Sequence, residues 1–340
     1  MSANGSRAII AVDAMGGDDA PGAIVSGAIA AHRDGLGTIV LVGDRPRIEP
    51  LLRGVSGIEI VHSAGEVPMD APASQAVRKA QGTSLGDAVE LVRDGRADAV
   101  VSAGNSGAFL AIAVVRLRTI PGIARPAIGA VLPGKEGPVV LCDAGANVDC
   151  KPEWLMQFGV MGSAYARAAL GIAEPRVGLV SVGEEPTKGN AQVLEAAELL
   201  RRAPVNFVGN VEGKDILLNH ADVVVADGFV GNVILKTAEG SGTYLRDALR
   251  EAYEGAGPFG KLGGLLSRGV FAVLRARVDY STYGGAPLLG VRGNCVVAHG
   301  RSDATAIRNA IRQAAAVSAA DLVGSIEAAL SDPATTSGPA

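Results

Sequence analysis

Aromatic residues make up only 4% of this chain and charged residues only 19%. With so few stacking rings and a net charge of −4, the chain lacks the basic stripe and aromatic platforms of a general nucleic-acid binder. Three cysteines, Cys142, Cys150 and Cys295, give neither a metal-type C-x-x-C spacing nor an even disulfide set. Reduced thiols in a cytosolic protein are the simpler reading. No apolar run reaches the roughly 20 residues that a membrane-spanning helix needs. The longest uncharged stretch, 99–115, is interrupted by Ser-Ala-Gly-Asn-Ser-Gly. The start, MSANGSRAIIAVDAMGG, carries one arginine and a short apolar run ending in Asp13, which reads as a first strand and not as a signal peptide. Three signatures are also missing. No G-x-G-x-x-G follows the first strand, no G-x-S-x-G elbow occurs, and the run from Gly255 to Lys261 lacks the Ser/Thr of a P-loop.

What is present is a repeated design. Seven apolar runs each end in a loop of small, polar residues, and a helix-like segment follows most of them. The loops are 13–21 (DAMGGDDAP), 105–107 (NSG), 143–147 (DAGAN), 183–190 (GEEPTKGN), 209–215 (GNVEGKD), 227–232 (DGFVGN) and 299–303 (HGRSD). Open α/β sheets bind ligands at the carboxyl ends of their strands. Glycine there permits close backbone approach, and the free N–H groups of a helix start favour an anion. The pattern predicts an α/β enzyme with a cleft for phosphate or a similar anion.

Along the chain, strands are expected at 8–13, 38–43, 58–62, 97–103, 176–182 and 294–299. Helices are expected at 20–34, 73–81, 84–94 (capped by Ser84 or Thr83), 153–170, 191–202 and 303–330. The segments 126–132 and 138–142 are joined by so short a linker that they demand an antiparallel hairpin. Two βα steps are expected at 205–219 and 223–239. Residues 240–280 break the rhythm and read as a helical arm on one α/β unit spanning 1–330. The end, 331–340, reads as a disordered tail by composition.

Each loop carries a plain reading beside the functional one. Gly16 and Gly17 supply amides for phosphate or a tight turn, and Asp13 could bind a substrate hydroxyl. Asn105 and Ser106 form a helix cap or an oxyanion nest. Lys188, beside Asn190, meets an anion or solvent. Asp227, Asn232 and Lys236 lie on one helix, where Lys236 could instead pair with Glu239. Of the four histidines, His299 is the one at a strand-end loop. In the arm, Lys261, Arg268 and Arg275 recur every seven residues, while Leu262 and Leu266 fall on the opposite arc. Such a helix either packs on its copy in a dimer or lies in a membrane interface.

The segments AVDAMGGDDAP, SAGNSGAFLA, DAGANVDCKPEWLMQFGVMG, GLVSVGEEPTKGN, NFVGNVEGKDI, ADVVVADGFVGNVILKTAEG and YGGAPLLGVRGNCVVAHGRSD resemble, in this order, the bacterial phosphate acyltransferases of phospholipid synthesis (the PlsX family). The resemblance implies a Rossmann-like three-layer α/β/α sandwich with a mostly parallel sheet, related to isocitrate and isopropylmalate dehydrogenases and to phosphotransacetylases. It implies reversible transfer of a long-chain acyl group from acyl-acyl carrier protein to inorganic phosphate. A homodimer is implied, held peripherally at the inner face of the cell membrane, and no metal or organic cofactor is expected. The product would pass to a membrane acyl-phosphate:glycerol-3-phosphate acyltransferase. For such a reaction the residues of this chain are read as follows: Lys188, Asn105, Ser106 and His299 become the catalytic group. Asp13, Gly16, Gly17, Asp143, Asn147, Asn190, Asp227, Asn232 and Lys236 become the substrate-binding group. Lys261, Leu262, Leu266, Arg268 and Arg275 become contacts for membrane or carrier. A short-chain phosphotransacetylase and a non-enzymatic lipid- or carrier-binding scaffold are the rival readings.

Overall fold

The structure, a computed structural model, describes residues 7–270 and 284–331. Runs rich in Val and Ile become strands β1 (Ile9–Asp13), β2 (Thr38–Gly43), β3 (Glu59–His62), β4 (Ala99–Ser102), β5 (Ala127–Pro133), β6 (Pro138–Cys142), β7 (Arg176–Val180), β8 (Asn206–Val211), β9 (Val223–Val225), β10 (Ala286–Leu289) and β11 (Asn294–Val297). They form one sheet in the order β3-β2-β1-β4-β11-β10-β5-β6-β9-β7-β8. Between them lie helices α1 (Gly22–Arg33), α2 (Arg45–Ile48), α3 (Ala73–Arg78), α4 (Ser84–Arg93), α5 (Ser106–Leu117), α6 (Pro152–Leu170), α7 (Ala191–Arg202), α8 (Gly228–Gly255), α9 (Gly257–Leu266), α10 (Ala304–Ala319) and α11 (Leu322–Leu330).

Strands buried on both faces need a helical layer on each side. One layer, α1, α6, α7, α10 and α11, covers Ile10, Val12, Leu41, Val140 and Val225. On the opposite face α4 and α5 cover Ala11, Val42 and Val100, and Ile234, Leu235 and Ala238 of α8 lie over Ala130, Leu132 and Leu141. The result is the expected three-layer α/β/α sandwich.

The sheet holds two parallel blocks. In the first, β3, β2, β1, β4 and β11 run together. In the second, β6, β9, β7 and β8 do so. Between the blocks β11–β10, β10–β5 and β5–β6 all pair antiparallel, so the blocks run in opposite senses. The hairpin expected from the short linker is β5–β6, in register from Gly129 opposite Cys142 to Pro133 opposite Pro138.

Four expectations need correction. Strand β10 lies where no element was expected, because Pro287 and the surrounding glycines mask its signal; it survives because its neighbours supply the ladder. The helix expected after β8 is only a 3₁₀ turn, Ile216–Leu218. The C-terminal helix is two helices, broken where Asp321 takes a left-handed conformation at φ 46°. The arm is α8, a 28-residue helix, followed by a separate α9 that starts at Gly257, φ +69°. The Gly263–Gly264 pair disturbs the amphipathic pattern for a packing reason: with Gly260 these residues let α9 close on Tyr253. Arg275 and the expected tail at 332–340 lie outside the described residues.

Candidate active site

The loops predicted as functional do follow strands, and the reversal between blocks sorts them into two groups. Loops after β1, β4 and β11 make the first. Asp13, at the end of β1, is buried and accepts the Ser102 hydroxyl at 2.6 Å and the Met15 amide at 3.2 Å. Burial raises its pKa above the ordinary 3.8, against the opposing pull of the Ser102 and Ser84 hydroxyls. A Cβ on Gly16 would stand 2.5 Å from Asp13 Oδ2 and 2.8 Å from Gly104 N, so only glycine lets these loops touch. Gly17, at φ +115°, lies against Ala103, and the next amide, Asp18 N–H, donates to Gly300 O at 2.8 Å. Three loops thus form a glycine cradle over Asp13, with Ser106 at the start of α5 on its rim.

The loops after β6, β9 and β7 make the second group. Asp143 is fully buried, and its carboxylate accepts five N–H bonds. They come from the amides of Ile128, Gly145, Ala146 and Asn147 and from the Asn147 side chain, at 2.7–3.1 Å. Asn147 Nδ2 also donates to Pro126 O, and its carbonyl accepts Gly228 N–H at 2.7 Å. A Cβ on Gly231 would stand 1.9 Å from Asp143 O. The glycines of the 227–232 loop are therefore needed for helix α8 to seat on the 143–147 loop. That purpose is local packing, which the sequence pattern alone could not separate from ligand approach.

Asp227 and Asn190 cap α8 and α7, accepting the amides of Val230 and Val193 at 2.8 and 2.9 Å. Asn105 caps α5 through Oδ1, and both its Nδ2 protons go to Met69 O and Ala71 O. These polar groups are spent inside the protein. Among the predicted loop residues, Ser106, Lys188, Asn232, Asn190 through Nδ2 and His299 through Nε2 keep side-chain donors without a partner among the described residues. Lys236 pairs with Glu239 at 2.7 Å.

Helix α8 joins the two groups. It starts beside Asp143, where Asn232 lies over Gly145, and one turn later brings Lys236 toward the first group. Lys236 and Glu239 come close enough to His299 to act on its ionisation. His299 is an exposed residue, yet partial desolvation of its ring, then the Lys236 charge, lower its pKa below 6.5; Arg301 acts likewise, Glu239 and Asp18 oppose. Its Nδ1 accepts the Arg301 amide at 3.1 Å, so the neutral ring carries its proton on Nε2. Lys188 stands apart. Its loop is bound to β8, where Asn210 Nδ2 donates to Glu185 O and Lys188 O.

Two further clusters escaped the sequence reading. Glu184, Asp215 and His220 converge beside a cavity of about 600 Å³. Lys214 Nζ already sits 2.9–3.7 Å from Glu212, Asp215 and Glu184, so an ammonium meets the charge there. Cys150 lies near Cys142, and burial pushes its thiol up to about 12. That leaves no thiolate for nucleophilic work at neutral pH. On the arm, Phe259, Leu262, Leu266 and Val270 are exposed, as is Arg268; Lys261 lies in α9. No described helix is long and apolar enough to cross a membrane.

The sandwich is shared with solved phosphotransacetylases. The chain superposes on one from Staphylococcus aureus with a TM-score of 0.61 and 16% identity, covering 92% of this chain and 94% of that one. It superposes on 4-hydroxythreonine-4-phosphate dehydrogenase from Klebsiella pneumoniae with a TM-score of 0.55 and 14% identity, covering 92% and 100%. These likenesses define the fold. Sequence carries the assignment further: a family model described as "Fatty acid synthesis protein" matches residues 8–323. A phosphate acyltransferase from Desulforudis audaxviator is 48% identical over 95% of this chain and 96% of its own length. One from Myxococcus xanthus is 49% identical over 91% and 89%. The chain belongs to this fatty acid synthesis family, that of the bacterial phosphate acyltransferases, and is an acyltransferase.

Proposed function

We propose that the protein transfers a long-chain fatty acyl group from acyl-acyl carrier protein to inorganic phosphate, giving acyl-phosphate and free carrier. One observation carries the reading beyond the family. Most predicted cap and staple groups of the strand-end loops are consumed internally, while Ser106, Lys188, Asn190, Asn232 and His299 keep free N–H or O–H donors. Such donors suit an anion and a developing oxyanion.

In this reading phosphate sits on the amides of Gly16 and Gly17 with Ser106. A phosphate oxygen adds to the thioester carbonyl. The tetrahedral oxyanion then collapses as the C–S bond breaks, and the thiolate leaves on the carrier. Phosphate is already the nucleophile and the thiolate leaves readily, so the protein's work is alignment and charge stabilisation. Asn232 and Lys236 orient the thioester or the pantetheine arm. His299, held neutral, donates from Nε2. Asp13, Asp143, Asn147, Asn190 and Asp227 hold the loops that carry these groups.

The exposed apolar side chains of α9 face the second subunit at the base of the arm and the inner surface of the cell membrane at its tip, with Arg268 toward headgroups or the acidic carrier. Acyl-phosphate made there is delivered to a membrane acyltransferase.

The test is incubation with palmitoyl-acyl carrier protein with and without phosphate, following carrier release and acyl-phosphate by mass spectrometry. Phosphate-dependent acyl-phosphate is the expected result. Binding without turnover would make the protein a scaffold, and activity confined to acetyl-CoA would make it a phosphotransacetylase.

A further inference from the structure

Between β3 and α4 the chain leaves the sheet as a strap, 66–81, whose ends are tied together. Gly65 N–H donates to Gly82 O and Ser84 N–H to Gly65 O, both at 2.9 Å. Ala76 of the strap is buried, and Val67 and Val77 pack on the core beside Phe109 and Ile112 of α5. The strap's turn then reaches the glycine cradle at two points. Met69 Cε lies so near Gly300 that a Cβ there would stand 2.9 Å from it. Asn105, next to Gly104 of the cradle, donates from Nδ2 to Met69 O at 2.8 Å and to Ala71 O at 2.9 Å.

The orientation of this carboxamide is determined. Its Oδ1 accepts the Ala108 amide at 2.9 Å, which only an acceptor can do, so the nitrogen must face the two strap carbonyls. Both amide protons are then committed, and none is left for phosphate. Asn105 belongs to the motif that the resemblance assigns to catalysis, yet its bonds run to the strap.

We propose that Asn105 is a positioning residue that latches the 66–81 strap over the glycine cradle and so keeps water from the acyl group. The consequence rests on the transferase reading above. Thioester and acyl-phosphate are both hydrolysable, so transfer to phosphate succeeds only where water is held off. In the side reaction, water oxygen adds to the acyl carbonyl, the carrier thiol or phosphate departs, and free fatty acid is released.

A plain helix-cap role makes a different prediction. Asn, Asp and Ser cap equally well, so Asn105→Ser and Asn105→Asp would then behave like the wild type. A latch ranks them. Serine keeps the cap and loses both strap donors; aspartate keeps the cap and sets a carboxylate oxygen against two carbonyls. The readout is limited trypsin digestion of the full-length protein, because Arg78 and Lys79 are the two trypsin sites of the strap and both are exposed. Cleavage there should quicken severalfold in Asn105→Ser and about tenfold in Asn105→Asp, with the thermal midpoint little changed. In the acyl-transfer assay the ratio of free fatty acid to acyl-phosphate should rise severalfold, in the same order. If Asn105→Asp does not fold, Asn105→Ser decides. Wild-type digestion rates in the variants would overturn the latch, and a loosened strap with an unchanged product ratio would overturn the water barrier. A protein that makes no acyl-phosphate at all would sink the transferase reading, while digestion would still report on the latch.

Discussion

Asp13 and Asp143 stand at corresponding places, each buried at the end of a strand with loops folded over it, yet they are held in different ways. Asp143 is surrounded by five N–H bonds. Asp13 relies on hydroxyls and a long amide contact, and burial raises its pKa. The difference shows one carboxylate that staples its loops through N–H donors, and another whose charge costs the fold. Neither faces outward as a ligand would.

The comparison breaks most visibly at Asp143. Asp143→Ala leaves several buried amides without an acceptor and should cost about 4 kcal/mol in denaturant unfolding, against about 1–2 kcal/mol for Asp13→Ala. Equal losses would show that the two aspartates do the same work. Next in size is Lys188. If its ammonium meets the reacting anion, Lys188→Ala should lower turnover about 100-fold, since one such donor is worth about 3 kcal/mol. A change under about threefold would remove Lys188 from the site.

The pH dependence of Asp13 sharpens the contrast further. Its raised pKa means that, between the ordinary 3.8 and the folded value, the folded protein keeps a proton that the unfolded chain has lost. Stability therefore falls as pH rises through that window, and Asp13→Asn should flatten the fall in urea titrations. A variant whose pH profile overlays the wild type would refute this account. The smallest expected effect is at His299, whose NMR titration should have a midpoint below 6.5. Removing Lys236 should move it up and Glu239→Gln should move it down, because the first lowers and the second raises the imidazole pKa.

Most elements were legible because their signals are local. Helix α7 lies at 191–202 as read, since apolar periodicity and the Asn190 cap agree. The β5–β6 hairpin followed from a linker too short for any crossover. Strand β10 was not legible: Ala-Pro-Leu-Leu makes a strand only between two ready neighbours. The site divides in the same way. Asn105, Asn190 and Asp227 could each be read as cap or ligand, and the sequence offers nothing to choose between them, because a cap amide and a bound anion satisfy the same N–H groups.

By itself the sequence determined the class of the protein: alternating strands and helices, anion-friendly strand ends, and motifs specific enough to mark an acyltransferase family. Tertiary structure alone decided which loops meet. Three antiparallel pairings reverse the second block of strands, and α8 crosses between the blocks to bring Lys236 near His299. It also decided that the Asn105 carboxamide holds a strap and that Gly231 serves a backbone contact. Hydrogen-bond partners far apart in the chain become neighbours only when the sheet closes, and no local pattern records them.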